Sequence, residues 1–420
     1  MAGPLSENLD TARELIDDCV HCGFCLDSCP TYALWAMETD SPRGRIVLID
    51  EAVRAGGTVS EEAVAHIDSC LGCLACVTAC PSGVRYDRLL EMTRPQIELD
   101  HERSATERAQ RLLLFETLPY PRRLRALAPL LSASRRIRAQ RRLPQRLSVL
   151  TEVAPKPPPR AERGEPIPEH TPALGHQRGR VALLLGCVQR VFFPAVHRAT
   201  IGVLAAEGYE VIAPSAPDCC GALELHAGEQ EPALARARAT IAALDGLGVD
   251  HVVSNSAGCG SAMKEYGELL GTPEARAFAA RVRDITELLG ETTARARRGP
   301  VPLRVVYHDA CHLRHAQGIR EEPRRLLGAI PGLELLEVPA EPEVCCGSAG
   351  IYNVVQPDAA AALGRRKAEH LLATGADAVA AANPGCAAQL ERHMRELGQP
   401  RPVHHPIELL WRSISAAARP

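Results

Sequence analysis

The chain has 420 residues, 46% of them hydrophobic and 24% charged, and a formal net charge of −3. That length exceeds a single core and implies two to four domains of ordinary globular composition. The near-neutral balance gives no general case for nucleic acid binding, and no stretch approaches 18 uninterrupted apolar residues that could span a membrane.

The N-terminal MAGPLSENLD lacks a basic segment followed by an apolar run, so no export signal is expected. Residues 5–18 should form a short helix leading into Cys19–Pro30, which reads C-V-H-C-G-F-C-L-D-S-C-P. The pattern recurs at Cys70–Pro81 as C-L-G-C-L-A-C-V-T-A-C-P, each cysteine lying 51 residues after its counterpart. Both are C-x2-C-x2-C-x3-C-P, the ligand run of cluster-binding bacterial ferredoxins. Three thiolates so spaced can wrap one face of a cubane, each reaching a different iron. The fourth lies too far along to close that cubane, and the proline turns it towards the other cluster. The spacing therefore assigns one [4Fe–4S] cluster to Cys19, Cys22, Cys25 and Cys80, and another to Cys70, Cys73, Cys76 and Cys29. Structural zinc prefers two C-x2-C pairs at a longer separation. Sixteen cysteines without an export signal read as metal ligands in a reducing compartment, which places the protein in the cytoplasm.

Between the runs, Ser41-Pro42 is a capping residue followed by proline at the first helical position. Ile46, Val47, Ile49 and Val53 give that helix an apolar side, Gly56-Gly57 stops it, and Ser60 caps another through Ile67. The two runs are thus expected on an α-helical frame. Twelve arginines then lie between Arg103 and Arg146 against Glu107 and Glu116, with leucine-rich patches at Leu112–Leu114 and Leu127–Leu131. They read either as connecting helices whose arginines face water or as an amphipathic docking surface for anionic lipid or an acidic partner. Residues 151–173 hold seven prolines and read as an extended linker.

From residue 180 the pattern becomes α/β. Strands are expected at Val181–Leu185, Glu210–Ala213 and His251–Ser254, with helices at 195–207 and 231–245. They lead to Cys187, Cys219-Cys220-Gly221 and Gly258-Cys259. The order recurs: Leu303–Tyr307 runs to Cys311, Leu333–Val338 to Cys345-Cys346-Gly347, and Ala378–Ala382 to Gly385-Cys386. The matched cysteines are offset by 124, 126, 126 and 127 residues. This is a tandem duplication, and its alternation implies parallel sheets. In such sheets ligands collect at the carboxyl ends of strands. Cys187, Cys219, Cys220 and Cys259, and likewise Cys311, Cys345, Cys346 and Cys386, are therefore candidate metal or cluster sets. Redox-active or merely buried thiols are the alternatives. His308, His312 and His315 flank Cys311 and could share a helical face as supporting residues, not ligands. No G-x-G-x-x-G, G-x4-G-K-[ST], G-x-S-x-G or H-E-x-x-H motif occurs, so neither a flavin nor a nicotinamide site is expected here.

CVHCGFCLDSCPTY, SPRGRI, CLGCLACVTACPSGV, SAGCGSAMKEYG and CCGSAGIY together resemble the iron–sulfur subunit of bacterial glycolate oxidase. The resemblance covers nearly the whole chain and is weak in 101–175. It implies an α/β multidomain protein: an α-helical two-[4Fe–4S] ferredoxin domain (1–100), a helical connector and linker (101–178), and two CCG cysteine-rich domains (179–298 and 299–420). It also implies an electron-transfer subunit of a flavin-linked 2-hydroxy-acid dehydrogenase. FAD would sit on partner flavoprotein subunits only, and electrons would leave towards a quinone or other respiratory acceptor, with peripheral contact at the inner face of the cell membrane. The sequence departs from related C-x2-C-closed domains at Ala262 and Gln389, which puts a five-cysteine site and heterodisulfide chemistry in doubt. The rival readings are a self-contained disulfide or quinone reductase, the equivalent subunit of a lactate or glycerol-3-phosphate dehydrogenase, and a metal-stabilised scaffold.

Overall fold

A computed structural model describes residues 4–136, 155, 157–158 and 165–418. Its N-terminal part is helical: α1 (Leu9–Asp17), α2 (Pro30–Trp35), α3 (Pro42–Arg54), α4 (Glu61–Asp68), α5 (Ala75–Ala79) and α6 (Tyr86–Asp100). The capping expectations are met. Ser41 Oγ accepts the Gly44 amide at 3.0 Å and Ser60 Oγ accepts the Ala63 amide at 3.2 Å. Gly44 has no room for a side chain, because a Cβ would lie 1.9 Å from the Glu38 carbonyl oxygen. Leu5, Ile16, Ile46, Ile49, Val64, Ile67, Leu89 and Ile97 close one core between α1, α3, α4 and α6. The two cysteine runs are loops and short helices laid against that core.

The duplicated half builds two sheets. The first joins β1 (His170–Thr171), β2 (Gly179–Leu183), β3 (Tyr209–Ile212), β4 (His251–Ser254) and β5 (Val282–Asp284) in the order β1-β3-β2-β4-β5. The second joins β6 (Leu303–His308), β7 (Leu333–Leu336), β8 (Ala378–Ala381) and β9 (Val403–His404) in the order β7-β6-β8-β9. All pairings are parallel except β1 with β3, an antiparallel edge. Each expected strand forms within two residues of its expected ends. The two- and three-residue strands β1, β5 and β9 are too short to carry a readable periodicity.

The sheets share one core. Val181, Leu183, Val211 and Val253 of the first belong to the same buried cluster as Val305, Tyr307 and Ala380 of the second. The last helix, Pro406–Ala417, crosses to pack on Pro194–Ala206 of the first unit. There the Trp411 indole lies so close to Gly202 that a Cβ would meet the ring at 2.8 Å. The two units are thereby fixed with the carboxyl ends of their strands facing one space.

The connector contributes α7 (Ala105–Phe115) and α8 (Pro121–Arg136). Two of its arginines take neither expected role. Arg103 pairs with Asp68 and Glu98, and Arg111 bridges Glu98 and Glu229 at 3.0 Å each. These charges tie the helices to both neighbouring domains instead of facing solvent. Leu112, Leu113 and Leu130 remain exposed. The rest of the arginine-rich stretch, 137–154, and most of the proline-rich linker up to residue 164 lie outside the described residues.

Candidate iron–sulfur and cysteine-rich site

Three thiol-lined cavities follow one another. Cys19, Cys22, Cys25 and Cys80 line the first, with Cys76 at its edge. Cys29, Cys70, Cys73 and Cys76 line the second. The third, of about 610 Å³, is lined by all eight cysteines of the duplicated half and by Cys70. Neighbouring cavities share walls: Cys76 borders the first two, and Cys70 with Leu71 borders the second and third.

Local order explains each placement. Cys29 precedes α2, whose Pro30 sets its first turn, and Cys80 ends α5. Leu74, in the left-handed conformation, turns the second run between Cys73 and Cys76. In the second cavity Arg45 is only 1% exposed and gives hydrogen bonds to Thr31, Ser69, Asp40 and the His66 carbonyl. Its guanidinium also points a donor at Cys29 Sγ, 3.9 Å away. Burial opposes that charge, but Cys70, Tyr86, Cys29 and Asp40 outweigh it, so the arginine stays firmly protonated. Burial likewise pushes the Cys70 thiol up, yet Arg45 and Arg94, with the Gly72 N–H at 3.4 Å, hold it below its ordinary value. Cys73 and Cys76 are driven well up by burial and by neighbouring thiols. Such a set of closely spaced buried thiols is costly as thiolates and suits a bound cation or cluster that neutralises it.

The third cavity holds two hydrogen-bonded thiol chains, Cys187–Cys219–Cys220–Cys259 and Cys311–Cys345–Cys346–Cys386. Bonds from Cys187 and Cys220 pull Cys219 well below the usual thiol range, while the same bonds, and then burial, raise both donors. The three flanking histidines part company instead of sharing a helical face. His308 ends β6 and turns into the core, His312 starts a π-helical turn, and His315 bonds Thr78 at 3.0 Å. His312 packs on His226 from the other unit with ring centres 4.8 Å apart, and the Nε2 atoms of both are buried without a partner. Burial would lower His312, but the Cys311 charge beside it raises it, and burial keeps His226 low. His308 is pushed down to about 3 by burial, then by Lys367, and is a neutral imidazole.

The sequence alone did not single out Arg94, His226 or Asn383. Arg94 donates to the Cys70 carbonyl at 2.5 Å and to the His226 carbonyl at 2.6 Å, joining the ferredoxin-type domain to the first cysteine-rich unit. Tyr352 of the second unit donates to the Ser69 carbonyl at 3.0 Å. Asn383 Nδ2 points at Cys386 Sγ, 3.6 Å away, while its Oδ1 faces Ser256 and the Gly258 amide of the other repeat. These partners lie more than a hundred residues away or sit in ordinary helical contexts, and no local pattern marks them.

The same interface holds two half-buried carboxyls. Glu91 and Glu265 are hydrogen-bonded to each other beside Arg88, Asp87 and Ser261. Burial first, and then the Glu265 charge, pushes Glu91 up to about 8 from an ordinary 4.5. A raised folded value means the native state keeps a proton that the unfolded chain has lost. The pair's contribution is therefore full below about pH 4.5 and is lost as pH rises towards 8. Thermal unfolding across pH 5–8 should show stability falling by at most about 1.4 kcal/mol per pH unit, the value for one proton. Glu91→Gln should flatten that slope; an unchanged slope would assign it elsewhere.

Comparison with known proteins agrees with this architecture. A 4Fe-4S dicluster domain model matches residues 15–84, and a cysteine-rich domain model matches 181–264 and 305–391. The chain is 36% identical over 420 residues to the probable glycolate oxidase iron-sulfur subunit of Bacillus subtilis, covering 95% of this chain and 94% of that one. It is 34% identical over 413 residues to the glycolate oxidase iron-sulfur subunit of Escherichia coli, covering 96% and 95%. Lactate utilization protein A of Exiguobacterium sp. is 28% identical over 243 residues, 56% of this chain and 99% of that one. With a dicluster domain, two cysteine-rich domains and end-to-end similarity to two such subunits, the chain belongs to the family of glycolate oxidase iron–sulfur subunits.

Proposed function

We propose that this chain is the electron-carrying subunit of a 2-hydroxy-acid dehydrogenase complex, with glycolate as the first substrate to test. One [4Fe–4S] cluster is held by Cys19, Cys22, Cys25 and Cys80, and another by Cys70, Cys73, Cys76 and Cys29. A four-iron cluster takes up and releases single electrons at a potential set by hydrogen bonds, charge and burial. The residues supply those controls: N–H groups aimed at sulfur, the buried charge of Arg45, and walls that exclude water. The observation that carries the reading is the shared wall between successive cavities, Cys76 and then Cys70.

In this reading a flavoprotein partner bearing FAD meets the first cavity. Cys22 is the one exposed cysteine, and Val20 and Phe24 beside it are 68% and 69% exposed. An apolar pair flanking a redox centre suits a protein partner. At the other end, Leu113, Leu114, Leu124, Phe192 and Ile351 give the third cavity an apolar wall that suits a lipophilic acceptor, a quinone or similar. Among the described residues no helix is long and apolar enough to cross a membrane. In this reading the complex reaches such an acceptor from the cytoplasmic face of the membrane. The two cysteine quartets of the third cavity are further candidate metal or cluster sites along the same route.

Anaerobic purification of the native complex tests this. About eight irons and eight sulfides per chain, with flavin co-purifying, are expected from the two ligand sets. Little iron, or no flavoprotein partner, would overturn it. Phe24→Glu should leave iron content unchanged while reducing recovery of the flavoprotein at least about tenfold, the effect of losing roughly 1.4 kcal/mol of a contact. Full recovery would move the docking face elsewhere.

A further inference from the structure

Arg94, on α6, gives hydrogen bonds to backbone carbonyls of two different domains. It reaches Cys70 of the second cysteine run at 2.5 Å and His226 of the first cysteine-rich unit at 2.6 Å. We infer that Arg94 is a positioning residue for electron transfer, through which the first cysteine-rich unit sets part of the potential of the second cluster. The inference rests on the assignment of Cys70 to that cluster and adds a control from outside its own domain.

Local order shows why an arginine stands here. His226 is the last residue of a short helix, Ala222–His226, that begins directly after Cys219-Cys220-Gly221. Its carbonyl therefore has no helical donor left to satisfy it. A planar guanidinium carries donors in a fixed fork and can serve two carbonyls at once, which a single ammonium does less well. Two residues further on, a Cβ at Gly228 would lie 2.7 Å from the Arg94 carbonyl oxygen, so the two backbones touch. Arg111 of α7 takes the carbonyl between them, Ala227, at 2.8 Å. Residues 226–228 are thus fixed to α6 and α7 at three successive positions.

The second cysteine run is gripped from the other unit as well. Tyr352 takes the Ser69 carbonyl, next to the one that Arg94 takes, and Leu71 and Cys73 share a buried cluster with Cys345 and Tyr352. The segment held by Arg94 also carries the His226 ring, which packs on His312, whose Nδ1 lies 3.4 Å from Cys311 Sγ. The guanidinium therefore fixes Cys70 relative to both units.

Its charge has a clear target. Arg85 and Arg88, on the same helix, face Asp87, Glu91 and Glu268. Arg94 gives its bonds to carbonyls, and its charge acts on the Cys70 sulfur: burial raises that thiol, and Arg45 and then Arg94 bring it below its ordinary value. A positive charge beside a ligand also favours the more negative, reduced state of a cluster and so raises its potential. Because His226 and Gly228 hold Arg94 in place, the contact with the first unit and the potential are linked. By reciprocity, reduction of that cluster strengthens the contact.

The test is a dye-mediated redox titration followed by EPR on the full chain, with iron per chain measured first. Arg94→Gln removes the charge and should lower the potential of the second cluster alone. The expected size is at least about tenfold in the ratio of reduced to oxidised cluster, about 59 mV for one electron. Arg94→Lys, which keeps the charge but not the fork, should fall between Gln and wild type. Gly228→Ala lies in the other domain and forces the Arg94 backbone away; with iron retained, it should shift the same cluster in the same direction. Should it lose iron, Arg111→Met frees the Ala227 carbonyl, loosens the same segment and is read in the same way. An unchanged potential in Arg94→Gln, or an equal shift of both clusters, would overturn the inference. So would a shift in Arg94→Gln with none in the variant that loosens residues 226–228. Absence of a four-iron cluster on the second set in the wild type would instead sink the assignment itself, and the inference with it.

Discussion

Cys73→Ser is expected to halve the cluster iron, from about eight to about four per chain, and to reduce acceptor reduction by the complex to background. Cys73 is a buried wall of the second cavity and lies in the field of Cys311 across the boundary with the third. It therefore stands at the step where electrons would pass from the ferredoxin-type domain to the cysteine-rich half. A serine hydroxyl is a harder and far less acidic donor than a thiol and is a poor replacement for a soft ligand. Ligation is coupled to folding, so the variant should also unfold at lower denaturant than the wild type. Iron analysis with EPR before and after dithionite reads the first effect, and acceptor reduction with the partner flavoprotein reads the second. Retention of about eight irons would show that Cys73 is not a ligand. Loss of both signals would show that the two clusters are not separable.

Arg45→Met is expected to cost about 3–5 kcal/mol of stability, the range for removing one partner of a buried ion pair. Asp40 is buried with it and would keep Ser69 and His66 as neighbours but lose its permanent cation. A stretch of 39 residues is stitched through this side chain, from Thr31 to Ser69 by way of Asp40 and the His66 carbonyl. Arg45→Lys should rescue only part of the loss, because one ammonium cannot reach that many acceptors at fixed angles. Arg45→Met also removes a positive charge beside Cys29 and Cys70, so the midpoint potential of the second cluster should move to more negative values. Denaturant unfolding and a dye-mediated redox titration check the two parts. A potential unchanged in Arg45→Met would mean that the guanidinium is structural only.

These two residues also mark the boundary between what the chain's pattern declares and what its folding adds. Cys73 was legible at once, because cluster ligation imposes a short spacing that is written along the sequence and repeats 51 residues later. The strands and the duplicated cysteines were legible for a related reason: short apolar runs ending at cysteine and glycine are local signals. The helix caps at Ser41 and Ser60 depend on three-residue contacts and formed where expected. Arg45 lay in plain view within S-P-R-G-R-I, yet nothing local marks it as buried. Its burial arises from partners 21 and 24 residues downstream on a different helix.

The sequence by itself determined the two C-x2-C-x2-C-x3-C-P runs, the duplication, the parallel α/β class and the family. Each depends on residue type at short, regular separation. Only the tertiary structure decided that both quartets open into one cavity, because that follows from a core shared by two sheets and a last helix that crosses back to the first. It also decided that the three neighbouring histidines take three different roles. His308 meets cysteines 38 and 78 residues away, His312 meets His226, and His315 meets Thr78. Distances of that kind are set by how packed layers come together, and no spacing along the chain encodes them.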